Sequence, residues 1–403
     1  MKIFFSVGEP SGDLHGANLI RELKRLQPDI QCVGFGGPRM AAAGAVLLED
    51  LTRLAVMWFL RALLNLHHFV RLYAAAGKYF QEHRPDAVVL IDYPGFNWWV
   101  ARAAKRESIP VYYYGAPQMW AWAPWRVHKM RRLVNHVLCK LPFEEDWFRS
   151  RGCQATHVGH PYFDEMASQV LDVDFLRSQN RDASPLVTIL PGSRTQEVTS
   201  NLRQFFKAAR HVHQACPSAR FAVAAFNERQ AQIIRGVADQ FEFPIQVHVG
   251  RTPELIHLAH CCMACSGSVS LELLFHEKPT VILYAISPIA FAAQRVMKQC
   301  KYITLVNLLA SGNPFPRDLS TFDPDAPDAE KVPYPEYLTF RDVSQRIAAH
   351  LVNWLENPDE RGAKLAQLRG LKQRYAHPGA TQSAARFLTN AFVAERSSCA
   401  KAA

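Results

Sequence analysis

The chain has 403 residues, 49% apolar and 20% charged, more than one hydrophobic core usually organises and too apolar for global disorder. Its formal charge, 46 basic minus 36 acidic residues, is +10, which points to anionic surfaces or substrates without separating nucleic acid, phospholipid head groups and nucleotides. Nine unevenly spaced cysteines read as reduced core residues of a cytosolic chain rather than a disulfide framework. The apolar start at residues 3–7 is too short for a signal-peptide core, and no apolar run reaches the roughly 18–20 residues that cross a bilayer.

In chain order, residues 3–7 predict a buried strand, 8–12 a turn, and 15–26 a helix with Leu19, Ile20, Leu23 and Leu26 on one face. Residues 32–35 form a second strand ending at Gly36-Gly37-Pro38. The apolar stretch 54–66, followed by His67, His68, Arg71 and Lys78, reads either as a buried helix or as a surface that enters the outer membrane layer or receives acyl chains. Strands at 86–91, 111–114 and 134–139, with helices between them, complete a mostly parallel set. Trp120, Trp122 and Trp125 lie near Arg126 and Lys129, an aromatic and basic surface without the signature of a nucleic-acid module.

Polar residues 172–185, broken by proline, are the expected interdomain linker. The architecture then repeats, with strands at 186–190, 220–224, 245–249, 262–265 and 280–283. Residues 313–335, rich in proline and aspartate, read as a loop or insertion, 341–355 and 358–371 as helices, and 380–392 as a terminal helix. The expected fold is α/β, two Rossmann-like domains facing a central cleft. Residues 1–175 and 186–375 would form the two domains, one presenting an acceptor and the other holding a donor, with 376–403 crossing back to the first.

Asp92 closes the strand Val88-Val89-Leu90-Ile91, at the carboxyl end where parallel-sheet loops converge on a site. A carboxylate there either accepts a proton from an acceptor hydroxyl or caps the next helix. Ser11, Gly12 and Asp13 offer a glycine turn and helix-start amides suited to a phosphate or an incoming oxygen, or simply close the fold. Gly192, Ser193 and Arg194 follow a second strand, where backbone amides and a guanidinium would receive a phosphate, without the lysine of a nucleotide-binding phosphate loop. Ser266, Gly267 and Ser268 stand at a helix entrance, with Glu272 one turn in as a ribose acceptor or a capping carboxylate. Cys261, Cys262 and Cys265 have no second ligand pair with zinc-like spacing and read as packing residues.

Together these residues resemble the lipid-A-disaccharide synthase family. The resemblance runs through 6–13, Gly36-Gly37-Pro38-Arg39-Met40, Leu54-Ala55-Val56-Met57 and Ile91-Asp92-Tyr93-Pro94-Gly95-Phe96-Asn97. It continues through 117–122, Leu141-Pro142-Phe143-Glu144, Val158-Gly159-His160-Pro161, 190–194, 266–268 and Asn307-Leu308-Leu309-Ala310, so ordered matches span about the first 310 residues. It implies a B-type glycosyltransferase that joins UDP-2,3-diacylglucosamine to 2,3-diacylglucosamine 1-phosphate, giving the β-1,6-linked disaccharide phosphate and UDP by a single inverting displacement. On that likeness Asp92, with Ser11 and Asp13, carries the acceptor chemistry. Gly192, Ser193, Arg194, Ser266, Gly267, Ser268, Glu272 and Asn307 bind the nucleotide sugar, and Glu336 rejoins the nucleotide-facing segment. Met57, Trp58, Phe59, Leu60, Leu63 and Leu64 meet acyl chains or an anionic membrane surface. No metal or other cofactor is expected, nucleic acid is not expected as a partner, and the implied location is the cytoplasmic face of the inner membrane, held peripherally.

One departure stands out: Gly95 occupies a position where the family often has aspartate. Two other activities stay open on the sequence, a UDP-sugar epimerase of related fold and a catalytically impaired lipid-binding homologue.

Overall fold

A computed structural model describes residues 1–52 and 66–402. It divides into two compact units, Met1–Asp164 joined by the chain from Pro378 onward, and Glu165–His377. The first unit is built on a seven-stranded sheet of β1 (Lys2–Val7), β2 (Gln31–Gly36), β3 (Val46–Asp50), β4 (Ala87–Ile91), β5 (Val111–Tyr114), β6 (His136–Cys139) and β7 (Ala155–His157). All neighbours pair in parallel, in the order β3-β2-β1-β4-β5-β6-β7. The second unit holds β8 (Leu186–Leu190), β9 (Arg220–Ala225), β10 (Ile245–Val249), β11 (Cys261–Cys265), β12 (Thr280–Ala285) and β13 (Glu336–Thr339). These are also parallel, in the order β10-β9-β8-β11-β12-β13.

Central strands such as β4, Ala-Val-Val-Leu-Ile, are buried along their whole length, as strands covered on both faces must be. Three strands went unpredicted: β3, β7 and β13. Each lies at a sheet edge, where one flank is open and no continuous apolar run is required.

In both sheets the chain winds outward on one side and then crosses to the other, reversing strand order between β1 and β4 and again between β8 and β11. Such a switch point leaves a crevice beyond the carboxyl ends of the strands, because the loops on either side depart in opposite directions.

The first helix, Pro10–Leu26, starts five residues earlier than its apolar face suggested. Proline at its first position has φ already set for a helix and lacks only an amide hydrogen that would have no partner there. Ser11, Gly12 and Asp13 are therefore its first turn, not a turn before it. The terminal helix Ala380–Ala402 packs on it, and Ala384, Ala385, Leu388 and Phe392 share a core with Leu19, Ile20 and Leu23. Asp164 receives that helix: its carboxylate accepts from the amides of Gly379, Ala380 and Thr381 and from the Thr381 hydroxyl.

The expected linker belongs to the second unit. Residues Val173–Gln179 are helical because the Asp172 carboxylate accepts from the amides of Asp174 and Phe175, while Arg251 pairs with that same carboxylate at 2.6 Å. The apolar stretch with Met57, Trp58, Phe59, Leu60, Leu63 and Leu64 lies outside the described residues.

Candidate active site

At the switch point of the first sheet, Val7 of β1 pairs with Ile91 of β4, Ile91 with Tyr114 of β5, and Tyr114 with Leu138 of β6. Glu9, Asp92, Gly115 and Lys140 therefore leave adjacent strand ends. Asp92 and Tyr93 both adopt left-handed backbone, with φ of 45° and 43°, which non-glycine residues hold only when their surroundings enforce it. Asn97 and Tyr113 enforce it here. Asn97 Nδ2 donates to the Asp92 carbonyl at 2.8 Å and reaches those of Ile91 and Ser6, while Ser6 Oγ donates to Asn97 Oδ1 at 2.7 Å. The Tyr113 hydroxyl donates to the Asp92 carbonyl at 2.5 Å. The Tyr93 ring lies where a side chain on Gly8 would sit, 2.3 Å from an added Cβ, so the β1 turn needs glycine for this geometry.

The turn presents the Asp92 side chain, 22% exposed, to Lys140 Nζ, which donates to Oδ1 at 3.3 Å. Oδ2 receives no hydrogen bond from the described residues. Burial lowers the proton affinity of Lys140, but Asp92, Glu144 and Glu9 outweigh it and raise the ammonium above its ordinary range. Glu144 is buried in turn, accepting from Trp120 Nε1 at 2.9 Å and from the amides of Lys140 and Leu141. Burial raises its proton affinity despite those donors. His160 accepts from the Tyr162 amide through Nδ1, which leaves the proton of the neutral ring on Nε2. Burial, then Lys140, His15 and His157, hold it well below the usual imidazole range.

Asp13 does not share the site with Asp92 as an available carboxylate. It is 3% exposed and accepts from the amides of Gly37, Arg39 and Met40 at 2.9, 3.0 and 3.1 Å. It anchors the start of helix Pro38–Ala42. Ser11 is exposed on the first turn of helix Pro10–Leu26. Asp92, Lys140, Glu144, Asn97 and Tyr113 thus form the constellation. Of its members only Asp92 was named for chemistry from the sequence; Lys140 follows a β-strand with no local signature, and only the register of β4, β5 and β6 reveals its position.

In the second unit, Leu190 of β8 pairs with Ala264 of β11, so the turn with Gly192, Ser193 and Arg194 adjoins Ser266, Gly267 and Ser268. The amides of Ser193 and Arg194 are already engaged: Glu197 Oε2 accepts from both, at 3.0 and 3.1 Å. Gly192, at φ 134°, leaves the space that Glu197 enters, since an added Cβ would lie 2.5 Å from that of Glu197. The Arg194 guanidinium, 81% exposed, rests loosely on Glu197 at 3.4 Å. Ser266 Oγ donates to the Ile303 carbonyl at 3.0 Å, Gly267 and Ser268 are exposed, and Glu272 is 4% exposed in helix Val269–Phe275.

Two expected nucleotide contacts are instead internal. Asn307 is 1% exposed; its amide group donates to the Tyr334 carbonyl and to Glu336 and accepts from the Tyr334 amide. Glu336 also accepts from the amides of Ile303 and Thr304. Together they tie helix Leu305–Ala310 to the edge strand β13. The three cysteines Cys261, Cys262 and Cys265 are buried along β11, and burial pushes the thiols of Cys262 and Cys265 up to about 12, as inert packing residues require.

Two doubly wound parallel units, each with polar groups at its switch point, define the B-type glycosyltransferase fold. Solved structures of that architecture align along nearly all of the chain. A UDP-GlcNAc 2-epimerase from Neisseria meningitidis bound to UDP-GlcNAc is 13% identical, covering 98% of this chain and 100% of that one with a TM-score of 0.61. MurG from Acinetobacter baumannii is 12% identical, covering 96% and 99% with a TM-score of 0.55. The family model for lipid-A-disaccharide synthetase matches residues 3–323. A lipid-A-disaccharide synthase of Coxiella burnetii is 30% identical over 390 residues, 96% of this chain and 98% of the relative. Another, from Syntrophus aciditrophicus, is 31% identical over 385 residues, 95% and 96%. The chain belongs to the lipid-A-disaccharide synthetase family, and is thereby a glycosyltransferase of lipid A biosynthesis. Among the described residues no helix is long and apolar enough to cross a membrane.

Proposed function

We propose that the enzyme transfers diacylglucosamine from UDP-2,3-diacylglucosamine to the 6-hydroxyl of 2,3-diacylglucosamine 1-phosphate, with inversion, releasing UDP. The observation that carries the reading is Asp92 at the β1/β4 switch point, held by one carboxylate oxygen while the other faces no donor among the described residues. Oδ2 would accept the hydroxyl proton as that oxygen attacks the anomeric carbon and the bond to the diphosphate breaks. Lys140 keeps a positive charge beside the carboxylate as it takes up the proton. The exposed guanidinium of Arg194 would meet the departing diphosphate through its planar donors. For the backbone amides of Ser193 and Arg194 to join it, Glu197 would have to turn away.

The test is an assay with the two purified acylated sugars and mass measurement of the product. A β-1,6 disaccharide phosphate with one UDP per turnover is expected. Asp92→Ala should lower turnover by at least about a thousandfold while UDP-sugar still binds, in line with loss of a general base and its positioning. Full activity in that variant would remove Asp92 from the reaction. Conversion of an unacylated UDP-sugar with no acceptor would select an epimerase instead. Because both substrates carry acyl chains, the reading also implies that the enzyme works peripherally at the cytoplasmic membrane.

A further inference from the structure

Beside the Asp92 site, the chain turns a second kind of chemistry outward. Residues 108–143 contain five cations, Arg126, Lys129, Arg131, Arg132 and Lys140, and no aspartate or glutamate. Lys140 points inward to Asp92. The other four lie in the turn Pro124–Arg126 and helix Val127–Leu133, which buries Val127, Met130 and Leu133 and leaves His128, Lys129, Arg131 and Arg132 exposed.

Two tryptophans stand exposed just before that helix, Trp122 at 42% and Trp125 at 60%, with the Arg126 guanidinium 4.5 Å from the centre of the Trp122 ring. Water is a poor environment for two indoles, and among the described residues neither has an aromatic or hydrogen-bond partner, the Arg126 guanidinium over Trp122 being the one ring contact. A lipid–water boundary suits both features, because indole rings settle at head-group level while lysine and arginine pair with lipid phosphates. The neighbouring Trp120 is instead buried against Glu144, whose other oxygen accepts from the Lys140 amide. The outward tryptophans therefore share a segment with a residue two side chains from Asp92.

We propose that Trp122, Trp125, Arg126, Lys129 and Arg132 form a docking surface for an anionic phospholipid bilayer, set beside the acceptor site of the same unit. It rests on the reading that the acceptor is a lipid, and its consequence is that such a substrate reaches Asp92 without leaving the membrane surface.

Flotation of the full chain with vesicles tests this, using phosphatidylcholine alone and equal parts phosphatidylcholine and phosphatidylglycerol. The wild type should bind the anionic vesicles. Trp122→Ser/Trp125→Ser should bind them about tenfold more weakly, and Lys129→Ser/Arg132→Ser should lose the preference for phosphatidylglycerol. With substrates dispersed in detergent, both variants should turn over within about twofold of the wild type, which also shows them folded. Wild-type protein that ignores anionic vesicles, or folded variants that bind them undiminished, would overturn the proposal. So would a lipid-free oligomer that the tryptophan variant splits while vesicle binding persists, since the surface would then belong to a second copy. Vesicle binding without any disaccharide product would instead sink the proposed reaction and leave this surface standing.

Discussion

Two consecutive residues in left-handed backbone cost roughly 1–3 kcal/mol each, and Asn97, wholly buried, supplies much of what holds Asp92 and Tyr93 there. Asn97→Ala removes bonds to the carbonyls of Ser6, Ile91 and Asp92 and leaves the Ser6 hydroxyl without its acceptor. It should lower unfolding free energy by about 2–4 kcal/mol in urea melts and reduce turnover beyond what that loss of folded protein explains. Lys140→Met should leave a folded enzyme about tenfold slower, with UDP affinity unchanged and partial recovery in Lys140→Arg. Equal rates in wild type and Lys140→Met would make the Asp92 pair structural only. At Gly95 a Cβ would meet nothing within 4 Å, so space is no reason for the missing side chain. Gly95→Asp, in the first turn of helix Pro94–Arg106, should fold and gain about 0.5–1 kcal/mol from the helix dipole and reduced chain entropy. A tenfold rise in its turnover would show that a carboxylate at position 95 orients Asp92, whereas an unchanged rate would show that Gly95 costs the reaction nothing.

Among elements, helices Thr195–Ala215 and Ser344–Glu356 pack together, and Lys207 pairs with Asp342 at 2.6 Å just before the second of them. Hydrogen bonds from Lys207 and then Ser344 hold the Asp342 carboxyl at about 2, below its ordinary 3.8. A depressed carboxyl contributes stability above its unfolded value and loses it as pH falls through the folded one. Lys207→Met should thus cost about 1 kcal/mol or less at neutral pH, since the pair is well exposed to solvent, and the difference should shrink as pH drops from 3.8 toward 2. At this same scale the buried central strands were legible, because continuous apolar runs have few alternatives once glycine turns bound them. The edge strands β3 and β7 were not, as partial exposure erases that pattern, and β13, although buried, is only four residues long and opens on a glutamate. Phosphate binding by the amides after β8 looked plausible from Gly192 and Arg194, but Glu197, one turn into the following helix, competes for those donors through a capping interaction that spacing suggests only in hindsight. Asp13 misled for a related reason: an acid in a first helical turn looks available until the partner amides at residues 37–40 arrive from another strand's end.

For the molecule as a whole, buried histidines make mild acid destabilising in both units: burial lowers His136, His157 and, most of all, His160 in the first. In the second unit burial, followed by nearby cations, holds His276 and His350 at about 4 rather than 6.5, and lowers His248 and His260 in the same direction. His350 Nε2 is shared with the Tyr337 hydroxyl at 2.9 Å, so charging the ring also disturbs the edge strand β13. A histidine held neutral when folded supports stability above pH 6.5. That support fades as pH falls toward 4, because the unfolded chain binds the proton and the folded one does not. Near pH 5, His276 and His350 together imply uptake of about two protons when this unit unfolds. Calorimetry of the full chain between pH 7 and pH 5 should therefore show the transition falling steeply. His350→Gln should flatten the dependence by about one proton, keeping a polar partner for Tyr337. A slope below one proton in the wild type would mean these rings take up charge without unfolding, and the second unit would then be open around them in a way its packed helices do not suggest.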